Sequence, residues 1–231
     1  MSDLPSNVHV SQHPCLRAKL SQLRSKSTAA KDVKTLVHEI GLIVATEALA
    51  ASTTAKDGPK ACYDATPLGF EFTSTEISPS RLCLVPILRS GLGMVDAVQT
   101  ILPGPVPVHH LGLYREPSTL EPVEYYNNLP NHISSDGSNP DVSSLAIILD
   151  PVIATGGTCA AAIQTLREWG VKRIIVMAVI GATEGVKRAA SEWANATEIW
   201  IAGVDAELTS SGMLKPGVGD VGDRLFLTIG K

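Results

Sequence analysis

The spacing of apolar residues changes once along the chain. Over residues 13–24, Leu16, Leu20 and Leu23 recur at intervals of three and four, and over 31–51 Val33, Leu36, Ile40, Ile43 and Val44 do the same. That period places each set on one face, so the chain opens with two amphipathic helices. Residues 52–80 are rich in Ser, Thr, Pro and Gly with scattered apolar positions, which predicts a connecting stretch with short irregular strands.

From residue 82 the pattern becomes one of apolar runs and glycine turns. Leu82-Cys83-Leu84-Val85-Pro86-Ile87 stops at a glycine turn and is followed by a helical pattern over 91–102. Residues 106–113 read as the next strand. Leu145-Ala146-Ile147-Ile148-Leu149 is a second run, followed by a glycine turn and a helix over 158–169. Residues 173–179 are a third, with a helix from about 183 to 193 behind it, and 198–202 a fourth. Apolar strands alternating with helices predict an α/β fold, a parallel sheet flanked by helices on both faces. Ligands of such sheets bind beyond the carboxyl ends of the strands, which directs attention to the glycine turns.

The 231 residues suit a single domain over 1–231, with N-terminal helices over 13–51, a core over about 81–205 and a C-terminal segment over about 206–231. Residues 131–144 read as an exposed loop with no chemistry of its own. A composition 44% hydrophobic and 18% charged excludes a disordered chain. A net charge of -4 without a basic stripe argues against a nucleic-acid partner, so an anion site must be local. Cys15, Cys62, Cys83 and Cys159 are scattered, with no CxxC pair and no histidine at metal-ligand spacing, as expected in a reducing compartment. The N-terminus lacks a basic and then apolar leader, and the longest apolar run, 174–180, is too short for a bilayer. The expectation is a cytoplasmic protein with no membrane partner.

Candidate chemistry concentrates at the turn after the second run, Asp150-Pro151-Val152-Ile153-Ala154-Thr155-Gly156-Gly157-Thr158. Small residues and paired glycines let backbone approach a ligand, and the free N–H groups of the following helical turn point at it. This predicts a phosphate cradle, with the Thr155 and Thr158 hydroxyls as further donors and Asp150 facing sugar hydroxyls or a ligand-bound metal. It is neither a Walker loop nor a dinucleotide fingerprint. Arg89, beside Gly91 and Gly93, has a guanidinium suited to paired hydrogen bonds with a diphosphate. Near the C-terminus, Gly212, Gly217, Gly219 and Gly222 lie among Asp220 and Asp223, a density that implies backbone shaped around something. Asp96, inside a helical pattern, and the pair His109-His110 read as structural residues rather than acid/base groups.

The nonapeptide resembles the phosphoribosyl-diphosphate loop of type I phosphoribosyltransferases, and Asp150-Pro151, where most relatives carry two acids, resembles the uracil phosphoribosyltransferase branch. Further segments resemble that branch: Pro86-Ile87-Leu88-Arg89-Ser90-Gly91-Leu92-Gly93-Met94, the stretch from Leu111 through Arg115 and Pro117 to Tyr125-Tyr126, and Pro216-Gly217-Val218-Gly219-Asp220-Val221-Gly222-Asp223-Arg224. The resemblance implies a β-hairpin arm, a C-terminal hood loop, and transfer of a phosphoribosyl group to N1 of uracil. It implies Asp220, Arg115 and Asp150 as catalytic residues. The donor would bind Arg89, Arg115, Asp150, Pro151, Val152, Ile153, Ala154, Thr155, Gly156, Gly157, Thr158 and Asp220; uracil would bind Leu214, Gly219, Asp220 and Val221. Mg²⁺ would arrive with the donor, with no direct protein ligand. A GTP effector and a homodimer or homotetramer are implied with it.

The chain departs from the family pattern at Ser90, Thr183, Met213, Val221 and Leu227, which stand where Ala, Pro, Tyr, Ala and Gly are usual. Thr183 is expected to cap its helix as well as Pro would start it. Met213, Val221 and Leu227 leave open a second reading, a non-catalytic nucleotide-binding member of the fold.

Overall fold

Alternate residues of each central run face opposite ways, and each side is filled. Leu145, Ile147 and Leu149 belong to one buried cluster, and Ala146 and Ile148 to another. The same split divides Leu82 and Leu84 from Cys83, Val85 and Ile87, and Ile175, Met177 and Val179 from Ile174, Val176 and Ala178. A two-residue side-chain period with both faces apolar leaves no solvated face, so these strands sit in the middle of a layered sheet. Each fully buried Ile or Leu contributes about 1.5–3 kcal/mol relative to exposure.

The computed structural model describes residues 4–58, 63–116, 122–130 and 143–228. The N-terminal part holds β1 (Val8–Val10), α1 (Pro14–Arg24), α2 (Ala30–Ser52), β2 (Thr54–Asp57), β3 (Tyr63–Ala65), β4 (Glu71–Thr73) and β5 (Thr75–Ser78). The core adds β6 (Leu82–Leu88), α3 (Leu92–Ile101), β7 (Leu111–Arg115), β8 (Pro122–Asn127), β9 (Leu145–Leu149), β10 (Val152–Ile153) and α4 (Gly157–Trp169). It continues with β11 (Arg173–Ala182), α5 (Thr183–Glu192) and β12 (Thr197–Asp205), and the chain closes with β13 (Glu207–Leu208), β14 (Leu214–Lys215) and α6 (Val221–Phe226).

The main sheet runs β1-β12-β11-β9-β6-β7-β8, with β10 also pairing β11. Every pairing in it is parallel except the last, where β7 and β8 form an antiparallel pair with a register shift at Gly112/Leu113. Helices α1, α2, α3 and α6 cover one face, and α4 and α5 the other. Two small antiparallel ribbons, β2 with β5 and β3 with β4, fill the connecting stretch, as its composition predicts.

Two expected elements differ. Residues 106–113 form strand only from Leu111; Val108 makes an isolated bridge to Leu84. Pro105 and Pro107 lack amide hydrogens and cannot continue a ladder, although the Pro107 carbonyl accepts from Leu84 N–H at 2.9 Å. Thr183 does not cap α5: the N-cap is Ala182, and the Thr183 hydroxyl instead donates to the Asp205 carbonyl at 3.2 Å. By length and composition α2 is apolar enough to cross a membrane, yet half of it is buried inside the fold, its apolar face against α3, β11 and β12. Residues 131–142 of the expected loop lie outside the described residues, as do 117–121 of the segment between β7 and β8.

Candidate active site

The phosphate loop begins as a continuation of the sheet. β9 ends at Leu149; Asp150 N–H donates to the Met177 carbonyl at 3.2 Å, and the Pro151 carbonyl accepts from Val179 and Ile180. Pro151, having no amide hydrogen, interrupts the ladder at the point where Asp150 leaves it. The chain then rejoins β11 through β10 before turning into α4.

The turn is fixed by two glycines. Gly156 takes a left-handed backbone, φ 77°, and serves as the N-cap of α4. A Cβ on Gly156 would collide with the Gly185 carbonyl oxygen, and one on Gly185 with the Ala154 carbonyl oxygen. The loop therefore rests backbone to backbone on the first turn of α5, an approach open only to glycine. The first intrahelical bond of α4 runs from Ala160 N–H to the Gly156 carbonyl at 2.9 Å. The amides of Gly157, Thr158 and Cys159 precede it and have no partner within the helix, so the positive end of a 13-residue dipole faces the turn.

At the other end of the chain, β13 pairs with β14 and the polypeptide then runs through Gly217 and Gly219, with φ 67° and 72°, into α6. Asp220 is the N-cap of α6 and accepts from Asp223 N–H at 2.9 Å. A neutral cap would serve folding as well, so the charge at this position is available for another use.

These two segments, more than 50 residues apart in sequence, line one cavity of about 150 Å³. The loop side supplies Asp150, Val152, Ile153, Ala154, Thr155, Gly156 and Thr158, and the C-terminal side Leu214, Gly219, Asp220 and Val221. Of the residues expected at a donor and acceptor site, Pro151 and Gly157 are buried but do not line the wall. Arg89 also stays off the wall. Its guanidinium lies beside Gly222, a wall residue, and is held at 3.3 Å by Asp223 and at 3.2 Å by the Thr228 hydroxyl. The Leu88–Arg89 peptide bond is cis. Arg115 ends β7 and pairs in register with Pro122 of β8. Asp96 lines a different cavity, with Lys34 and His38 between α2 and α3. His109 packs edge-on against Trp169, and the His110 amide donates to Asn128.

Four lining residues were not singled out as binding groups: Ser90, Cys159, Met213 and Gly222. Ser90 and Gly222 lie within the glycine segments, and Met213 directly precedes Leu214, so their only signal in the sequence is position. Cys159 is fully buried, and burial first, then the neighbouring Asp150 carboxylate, pushes its thiol well above the ordinary range. It presents a neutral S–H beside the acid.

The uracil phosphoribosyltransferase family model matches residues 10–228. The chain is 39% identical over 222 residues to a uracil phosphoribosyltransferase of Bacillus cereus (strain B4264), covering 96% of this chain and 98% of that one. It is 39% identical over 223 residues to one of Desulfitobacterium hafniense, covering 96% and 99%. Among solved structures, the AQ2163 protein from Aquifex aeolicus superimposes with a TM-score of 0.83 at 28% identity, covering 96% and 98%. The adenine phosphoribosyl transferase from Trypanosoma brucei superimposes with a TM-score of 0.50 at 16% identity, covering 89% and 86%, a likeness of fold.

Proposed function

The chain belongs to the uracil phosphoribosyltransferase family, and from that premise we propose that its cavity joins uracil to the phosphoribosyl group of 5-phospho-α-D-ribose 1-diphosphate, releasing UMP and diphosphate, a step of pyrimidine salvage. One observation carries the reading: the phosphate cradle and the C-terminal glycine loop, distant in sequence, line a single cavity.

Each group has a task that its position suits. The α4 amides and the Thr155 and Thr158 hydroxyls hold the 5′-phosphate at the helix N-terminus. Asp150, 6% exposed at a strand end, faces the ribose hydroxyls. Main-chain groups of Leu214, Gly219 and Val221 read the edge of uracil. Displacement at the ribose carbon leaves positive charge on the sugar and negative charge on the departing diphosphate, so positioning and electrostatics supply most of the catalysis. Arg89, beside the wall residue Gly222, and Arg115 at the end of β7 neutralise the leaving group, and the Asp220 carboxylate faces the sugar. No cluster of three metal-ligating side chains exists among the described residues, whereas two carboxylates, Asp150 and Asp220, share the wall. That set suits Mg²⁺ brought in on the diphosphate, since the ion is commonly bound by one or two carboxylates with substrate oxygens and water. When bound it adds charge neutralisation to the leaving group.

The same reading includes a GTP effector, a cytoplasmic enzyme, and a homodimer or homotetramer. The half-exposed Tyr114, Tyr125 and Tyr126 on the β7–β8 pair support association. Sedimentation at several concentrations, with and without GTP, tests both.

The decisive measurement is turnover with donor, Mg²⁺ and uracil, beside cytosine, orotate and hypoxanthine. UMP forms with uracil alone and formation stops on chelation of the metal; no UMP at high enzyme concentration sinks the proposal. Asp220→Asn keeps the cap and its melting temperature while kcat falls about hundredfold or more. An unchanged kcat removes Asp220 from the chemistry.

A further inference from the structure

Outside the cavity, a part-buried polar cluster centred on buried Asp205 joins the two ends of the chain. Asp205 is the last residue of β12, and its side chain is 4% exposed. Its Oδ1 accepts from Arg24 Nη2 at 2.6 Å, and its Oδ2 accepts from Arg24 Nη1 at 3.0 Å and from Gly217 N–H at 2.9 Å. Arg24 Nη1 also donates to the Gly217 carbonyl at 2.9 Å. Both polar groups of the Gly217 peptide backbone are thus engaged by one ion pair. Arg224 repeats the device one residue on. Its Nη1 donates to the carbonyls of Val218 and Leu23, each at 2.6 Å, and its Nη2 to the Ser25 carbonyl at 3.0 Å.

These bonds fasten residues 217 and 218 to the end of α1. On one side of them Leu214 lines the cavity, and on the other side so do Gly219, Asp220 and Val221. Arg24 and Asp205 themselves do not line it. A left-handed glycine loop has few intrinsic reasons to keep one shape, so its shape is set by what grips it. We propose that Arg24 and Asp205 are a positioning pair that sets the register in which the C-terminal loop meets the base, and so govern capture of uracil far more than binding of the donor, which this loop meets through Asp220 alone while the cradle supplies the rest. The proposal rests on the uracil-transfer reading above. The physical basis is the bidentate fork. Two parallel charge-assisted bonds fix direction as well as distance, and a buried carboxylate that loses its fork does not settle in the same place.

The donor side is held independently. The phosphate loop rests on Gly185 of α5 and on β11, with the Asp150 amide and the Pro151 carbonyl bonded to Met177, Val179 and Ile180. Two links reach toward α5, the Thr183 hydroxyl on the Asp205 carbonyl and the strand pairing of Ala182 with Asp205, and both use the Asp205 backbone that a side-chain substitution retains.

The test compares wild-type enzyme with Arg24→Lys, Asp205→Asn and the double variant. Steady-state KM is measured for uracil and for donor, and donor affinity by calorimetry without uracil. Each single variant is expected to raise the uracil KM about tenfold or more, with donor Kd within about twofold and melting still cooperative. The double variant is expected to be no worse than the worse single one, because the pair acts as a unit. A uracil KM within about twofold of wild type overturns the proposal, and so does equal weakening of uracil and donor, the mark of a merely structural role. If Asp205→Asn does not fold, Arg24→Lys decides on the same criterion. Wild-type enzyme that turns over no uracil sinks the transfer reading and this one together; active wild type with unaltered variants sinks only this one.

Discussion

Leu227 takes a left-handed backbone, φ 55°, just past the end of α6, and its side chain is 74% exposed. A side chain with a Cβ is strained there and little of it is buried in return, so Leu227→Gly should stabilise the fold by about 1 kcal/mol, read from the urea midpoint. Cys83 is a second residue whose environment has a measurable consequence. Burial pushes its thiol from 9.0 up to about 11, with a hydrogen bond to Ser143 acting the other way. Between those values the unfolded chain has lost a proton that the folded one retains. Unfolding is therefore favoured as pH rises through this window, and the stability present below pH 9 is lost toward pH 11. Between pH 8 and pH 11 the wild type should lose about 2 kcal/mol more than Cys83→Ala, measured as unfolding free energy against pH.

At the scale of elements, the phosphate loop meets the first turn of α5 backbone to backbone at Gly156 and Gly185. Gly185→Ala would press a methyl against the Ala154 carbonyl and, at 2.9 Å, the Gly156 amide. It should cost about 2 kcal/mol of stability and weaken donor binding by about tenfold, since the cradle must shift to admit it. Gly104→Ala, where nothing lies within 4 Å, is the control, and calorimetry with donor separates the two. Such contacts also mark how far the sequence could be read. The periodicity of Leu16, Leu20 and Leu23, and the runs at 82–87 and 145–149, found helices and strands because local pattern and burial coincide there. A strand over 106–113 is too long because its apolar residues outweigh Pro107, which cannot donate to a ladder. The turn at 150–158 is legible as a phosphate cradle from its local sequence, and the C-terminal segment only as a glycine-rich loop, which the family resemblance assigns to the base. That Gly185 supports the one, and that Arg24 grips the other from 193 residues away, is not, because neither partner carries a local signature. Arg89 was read for a diphosphate, and its hold on Asp223 depends on a fold that brings residues 134 apart together.

For the whole molecule, the edge of the main sheet at β12 is closed by β1, only three residues long. Asn7 reinforces that closure, its amide donating to the carbonyls of Ala190 and Thr197 at 3.0 and 2.9 Å. Removing residues 1–10 would bare the β12 backbone from Ile199 to Ile201, and a bare edge is a template for pairing with another chain. Light scattering at rising concentration should show self-association of the truncated protein where the full chain shows a defined size. A truncated chain that stays at that size would mean that something else covers the edge.

The two halves of the cavity are owned by different parts of the molecule. The cradle is the end of a strand and the start of a helix, built into the sheet, whereas the opposing loop is a strap tied down at its root by guanidinium groups of Arg24 and Arg224. Substitutions can therefore accumulate in the strap without reaching the cradle, and Met213 and Val221 lie in it or at its border. On the proposed assignment, the base side can change at Met213 and Val221 without disturbing the knots at Arg24 and Arg224 or the cradle, so one scaffold could change the base it takes.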